Sequence, residues 1–174
     1  ANVSDAAGNP AAEATYDFTI DISSPTISIS HPFGEDGVMN IAERDADLTL
    51  NMNVTGANGQ DVTVTLNNAS SKVGTVSNGA ASVTFFTSEL QNLDVNATHT
   101  FKANVSDAAG NPATEKTYQF TIDISSPTIS ISPPFGADSV MNIAERDADL
   151  TLTVNVSGAN GQDVTVTLNN ASSK

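Results

Sequence analysis

The chain has 174 residues, 39% of them hydrophobic, enough for one compact domain of about 100 to 150 residues with some chain left over, and too little for a single large enzyme. Six Lys and Arg against 20 Asp and Glu leave a net charge of −14, which repels nucleic-acid phosphates and anionic lipid headgroups. The absence of Cys excludes disulfides, thiolate metal sites and a thiol nucleophile, so a stabilising staple would have to come from oxygen ligands.

In chain order the first signal is ANVSDAAGNPA at Ala1 to Ala11. It returns at Ala103 to Ala113, a period of 102, and the match runs without a gap to Lys72 and Lys174. Residues 1–72 and 103–174 differ at nine positions, including Asp17 against Gln119, His31 against Pro133 and Glu35 against Ala137. Such a period is too long for a solenoid turn and suits a self-sufficient domain, so the chain reads as near-identical modules joined end to end.

Within the period, Ile27 and Ile29 alternate with Ser, Leu48 to Val54 with Thr and Asn, and Val62 to Leu66 with Thr. Each pattern predicts a half-buried strand. Further strands are expected at 73–76, 82–86, 98–105 and 117–122, the last with Tyr118, Phe120 and Ile122 on one face. Turn residues separate them: Asn58-Gly59, Asn78-Gly79, and the Gly and Pro of Asp107 to Pro112. Helical periodicity is confined to one turn at Ser88 to Leu93, capped by Ser88 or Thr87. Seven short strands in about 100 residues predict an all-β, Ig-like antiparallel sandwich.

The joint between modules falls near Ile122 to Pro127, where one strand ends and Pro127 precedes the next. This phasing makes 24–123 the complete module. Residues 1–23 become the last strands of a preceding module and 124–174 the first strands of a following one.

Acidic and amide residues gather at three places per period: Ser106 to Pro112, Ile122 to Pro127 and Asp138 to Asp149. Carboxylates brought together repel by about 4 kcal/mol for a pair 4 Å apart at an effective dielectric of 20. With few cations in the chain, a hard divalent ion is the economical neutraliser, and Ca2+ accepts six to eight carboxylate, amide and carbonyl oxygens in flexible geometry. The alternative is plain: Asp and Asn are ordinary turn residues, and Asp47 can simply begin a strand. Both copies keep eight of these positions, Asp5/107, Asn9/111, Asp21/123, Asp36/138, Asn40/142, Glu43/145, Asp45/147 and Asp47/149. No contiguous EF-hand loop is present.

V-S-D-A-A-G-N-P, T-I-D-I-S-S-P-T-I-S-I and D-x-V-M-N-I-A-E, in that order, resemble the bacterial Ig-like repeats of giant RTX adhesins, a group that includes biofilm-forming and ice-binding members. The likeness covers the full period. It implies an extracellular, cell-surface stalk of repeated modules, exported by a C-terminal signal and stiffened by Ca2+ near the linkers. By the same resemblance Asp107, Asn111, Asp123, Asp138, Asn142 and Glu145 would hold one junction ion, and Asp5, Asn9, Asp21, Asp36, Asn40 and Glu43 the equivalent upstream ion. This chain departs from many members in having no Trp, with Phe85-Phe86 in its place.

The partners expected are therefore neighbouring modules of the same chain in a monomeric stalk, with no nucleic acid, membrane insertion or small-molecule substrate. No enzyme is expected, since the only His residues are His31 and His99 and the first is Pro133 in the other copy. The alternative reading is a ligand-binding module for ice or carbohydrate, using Thr-rich strands such as Val62 to Thr65.

Overall fold

The computed structural model describes the chain apart from residues 136–138, 169–171 and 174. It divides into two units, Ala1–Ile122 and Asp123–Lys174. In the first, the order is β1 (Thr26–Ile29), β2 (Val38–Met39), α1 (Ile41–Arg44), β3 (Leu48–Thr55), β4 (Asp61–Leu66), β5 (Ser70–Thr75), β6 (Ala80–Phe85), α2 (Thr87–Gln91), β7 (His99–Asn104) and β8 (Lys116–Ile122). One sheet has the order β1-β3-β6 and the other β2-β8-β7-β4-β5. All pairings in this unit are antiparallel except the short parallel contact of β2 with β8.

The alternation read from the sequence decides which side chains are inside. On β3, Leu50, Met52 and Val54 are buried while the Thr and Asn between them are exposed. Val62, Val64 and Leu66 of β4 meet them from the other sheet in one core cluster. At its centre Phe101 stacks on Phe120 with centroids 5.1 Å apart, Phe85 leans on Phe101 at 5.0 Å, and Phe33 adds a contact with Phe120 at 4.8 Å. Burying each such ring contributes about 1.5–3 kcal/mol. Phe86, next to Phe85, instead lies outside the core under the Lys72 ammonium.

Among the described residues His99 and Asp107 are the buried polar ones, and both ring nitrogens of His99 are engaged. Nδ1 lies 2.8 Å from Asn67 Nδ2 and Nε2 lies 2.8 Å from the Asp94 carbonyl. The Asn67 amide is oriented by the Thr100 N–H, which donates to its Oδ1. The acceptor on that ring is therefore Nδ1, and Nε2 carries the proton to Asp94.

The turn chemistry is as read. Asn78 and Gly79 both adopt positive φ, 51° and 78°, between Ser77 and Ala80, the mirror-image turn that Asn-Gly favours. Two elements go beyond the reading: the strands of this module number eight, because β2 pairs over only two residues, and α1 forms a second helical turn. Neither is long enough to show a period.

The second unit contains β9 (Thr128–Ile131), α3 (Ile143–Arg146), β10 (Val154–Ser157), β11 (Thr167–Leu168) and β12 (Ser172–Ser173). β9 pairs with β10 and β11 with β12. The β9–β10 register repeats that of β1–β3, with Thr128 opposite Ser157 as Thr26 is opposite Thr55.

Candidate metal site

The residues singled out by sequence fall into two local devices. The first is a carboxylate that closes its own turn. Asp107 Oδ1 accepts the N–H groups of Ala109 and Asn111 at 3.0 and 2.8 Å, and Oδ2 accepts Asn111 Nδ2 at 2.9 Å. Asp5 repeats this arrangement with Ala7 and Asn9. Asp21, Asp123 and Asp36 each accept one N–H two residues on, from Ser23, Ser125 and Val38. The Asn111 amide, then the loop N–H groups, hold Asp107 below the usual carboxylate range, and Asn9 does the same for Asp5. The Ser125 N–H and hydroxyl lower Asp123.

The second device is a capping box. Asn40 Oδ1 accepts the Glu43 N–H and Glu43 Oε2 accepts the Asn40 N–H, closing the first turn of α1. Asn142 and Glu145 do the same for α3. These four side chains thus have a folding role that needs no ion. The spacing Asn-x-x-Glu carried this signal in the sequence. Asp138 lies outside the described residues.

The strand register sorts the candidates of the first unit into two ends. The 106–112 loop precedes β8 and Ile122 closes it, so they stand about 20 Å apart at 3.3 Å per residue. The linker at Asp21 meets the loop end, where Asn111 Nδ2 donates to the Asp21 carbonyl at 3.1 Å. Asp36, Asn40 and Glu43 flank β2, which pairs with Thr121 and Ile122 at the opposite end. Asp21 thus stands at the end of Asp107 and Asn111, while Asp36, Asn40 and Glu43 stand at the far end of β8, because a hairpin loop and the strand end that follows it lie at opposite ends of a sheet. Among the described residues Asp5 and Asn9 hydrogen-bond within their own loop.

At the Asp21 end two oxygens, Asp107 Oδ2 and Asp21 O, converge on the single donor Asn111 Nδ2. Beside them an open polar cleft of ≈ 460 Å³ brings Asp61 and Asp107 to one wall system with Gln60, Asn104 and Ser106. Asp61 is held by the Thr75 hydroxyl at 2.9 Å. Among the described residues, no three His, Asp or Glu side chains come close enough together to hold an ion by themselves. The donor set is nevertheless of the right kind for a hard cation: carboxylate, amide and carbonyl oxygens.

Sequence reading missed a clamp between the two helical turns. Asp47 Oδ1 accepts both the N–H and the hydroxyl of Thr87, which lowers its pKa. Asp45 accepts from Gln91 Nε2, and Arg44 donates to the Gln91 carbonyl. Glu89 ties α2 to β5 instead: it accepts from the Ser70 hydroxyl at 2.5 Å and from Lys72 at 2.9 Å, and its pKa drops to about 2. Asp45 and Asp47 are thereby accounted for as structural acids.

No known protein-family profile matches the chain, and no curated protein matches it. Several solved structures resemble it. One, concerned with the host cell surface retention of a 1.5-MDa bacterial ice-binding adhesin, is 25% identical over 90% of this chain and 51% of that one, with a TM-score of 0.51. Another is a Ca2+-stabilized adhesin that helps an Antarctic bacterium reach out and bind ice, 25% identical over 90% of this chain and 39% of that one, at 0.49. A bacterial immunoglobulin-like domain from the M. primoryensis ice-binding adhesin is 27% identical over 56% of this chain and 96% of the domain, at 0.43. The chain spans about half the length of the first of these. The first of these makes the likeness to adhesins read from the sequence also a likeness to a solved adhesin structure, and the architecture is an all-β, Ig-like sandwich. Among the described residues no helix is long and apolar enough to cross a membrane.

Proposed function

We propose that the chain is a segment of the extender, or stalk, of a bacterial cell-surface adhesin, working outside the cell, whose modules are stiffened by Ca2+ held at their ends. The phasing proposed is a complete module over 24–123, flanked by parts of its two neighbours. The observation that carries this reading is the bond from Asn111 to the Asp21 carbonyl, since it fastens the main chain of a linker to a loop of the module that follows it.

The residues of this end do two things. Asp107 is held ionised by the donors of its own turn, which keeps a negative charge beside the linker. Asn111 orients the Asp21 carbonyl toward that charge. Turning the Asn111 amide over would present its oxygen where Nδ2 now sits, so that Asp107, Asp21 and Asn111 would offer carboxylate, carbonyl and amide oxygens to one ion. Bound Ca2+ supplies the positive charge around which such oxygens gather, with water completing its six to eight ligands. At the other end the carboxylate oxygens of Asp36 and Glu43 that the turn and the cap leave unused would serve in the same way. By repetition the same roles fall to Asp5 and Asn9, to Asp123, and to Asp138, Asn142 and Glu145.

A strand of about eight residues plus loops gives a module roughly 30 to 45 Å long, so repetition converts chain length into reach. Affinities of about 0.1–1 mM suit an extracellular site. Thermal unfolding and small-angle scattering of the chain, with Ca2+ and with chelator, test the reading. At Ca2+ about 100 times Kd the expected stabilisation is about 2.7 kcal/mol, with a longer maximum dimension. A melting curve and a dimension that chelator leaves unchanged would reject it.

A further inference from the structure

Of the two imidazoles in the chain, His31 is exposed, whereas His99 at the start of β7 is 3% exposed. The buried ring joins three segments. Nδ1 meets the Asn67 amide in the turn between β4 and β5, Nε2 meets the Asp94 carbonyl in the 92–98 loop, and the ring lies 5.3 Å from that of Phe120 on β8. The turn is bound to β7 twice more, since the Asn67 N–H donates to the Thr100 carbonyl and Asn67 Oδ1 accepts the Thr100 N–H. Leu90 of α2, with Leu93 and Val95 of the loop, roofs the core at this end.

The arrangement fits the neutral ring alone. An imidazolium carries a proton on both nitrogens, and a proton added to Nδ1 would point at Asn67 Nδ2, which is itself a donor. Turning the amide over gives no relief, because its NH2 would then face the Thr100 N–H. The neighbouring elements offer no charge to compensate: β8 presents the Phe120 ring, the Asp94 carboxylate accepts the Asn96 N–H, and Glu89 of α2 is taken by Ser70 and Lys72 of β5. Among the described residues no acid lies within ion-pair distance of the ring. A buried charge without a partner is strongly disfavoured.

We propose that His99 is a proton-operated latch: neutral, it pins the β4–β5 turn and the 92–98 loop to β7, and on taking up a proton it lets this end of the module open. The inference goes beyond the stalk reading and needs no Ca2+. Histidine is the side chain that ordinarily changes charge between pH 5 and 8, so the unfolded chain takes up the proton in a range where the folded module refuses it. Stability is therefore complete above that range and is lost as pH falls through it. Opening uncovers Leu90, Leu93 and Val95, which the latch keeps against the core.

Urea unfolding of the full chain from pH 8 to pH 5, in chelator throughout, tests this. One proton refused by the folded state lowers the folded-to-unfolded ratio by about thirtyfold over that span, and amide exchange at 67–69 and 93–98 should quicken ahead of the rest of the module. Glu89 is silent there, since its own loss lies below pH 4.5. His99→Gln should flatten the profile, and the control His31→Gln should leave it as it is. Asn67→Asp is the sharper variant: a carboxylate accepts the Thr100 N–H with one oxygen and the new ring N–H with the other, so stability should rise on acidification instead of falling. The proposal is overturned by a profile that is level from pH 8 to pH 5, or by an Asn67→Asp chain that falls as steeply as its parent. It is equally overturned by a His99 ring whose proton resonances titrate while the urea midpoint stays put. Because every arm is run in chelator, these outcomes are distinct from a failure of the calcium reading, which is scored by the melting shift on adding Ca2+.

Discussion

Residues 15–20 and 117–122 carry the same pattern, Thr-Tyr-x-Phe-Thr-Ile, with opposite fates. In the second stretch the residues form β8, with Phe120 2% and Ile122 7% exposed, because β7 lies on one side and β2 on the other. In the first, Tyr16, Phe18 and Ile20 are 88%, 73% and 77% exposed, and no strand pairs with them among the described residues. An alternating sequence states which side chains can be buried, and only a neighbouring sheet decides whether they are. Strand preference is in this sense a fit to a half-buried surface more than a property of the backbone.

The largest expected effect sharpens that contrast. Phe120→Ala should cost about 3–5 kcal/mol, because its ring joins Phe33, Phe101 and His99 in the core. Phe18→Ala, at the matching position, should stay within about 0.5 kcal/mol. Urea unfolding of the two variants measures both. Equal losses would mean that 15–20 is packed after all. Next, Gly74→Ala should cost about 1–3 kcal/mol, since a Cβ there would meet the Ser82 carbonyl at the close crossing of β5 and β6. A smaller loss of about 1 kcal/mol is expected for Asn40→Ala from the opened capping box, visible as a shift in the same urea midpoint. Last comes Glu89, whose folded pKa of about 2 lies below its ordinary 4.5. Its contribution is present above pH 4.5 and is lost as pH falls toward 2. Glu89→Gln should therefore lower stability at neutral pH, change little near pH 2, and so flatten the acid limb of the stability curve between them.

The long strands, the Asn-Gly turns and the sandwich were legible because alternation over five or more residues has few other readings. β2 was not, since two residues show no period, and α1 was passed over because Asn40 and Glu43 were weighed as ion ligands while their capping spacing went unused. How the candidate residues are placed along the module was not legible in the sequence. Which acids share an end of the module depends on β8 separating the 106–112 loop from Ile122, and that is a matter of register, which composition does not carry. Asp45 and Asp47 looked like further loop acids until their partners Gln91 and Thr87, 46 and 40 positions away in the chain, came into view.

The most direct measurement is a Ca2+ titration of the chain followed by the backbone amide resonances of Asp21, Asp107 and Asn111. The account expects all three to move together along one saturating curve, and Asp107→Asn to abolish the movement at each. Resonances that stay still, or that drift without saturating alongside those of scattered surface acids such as Glu13 and Asp17, would contradict it.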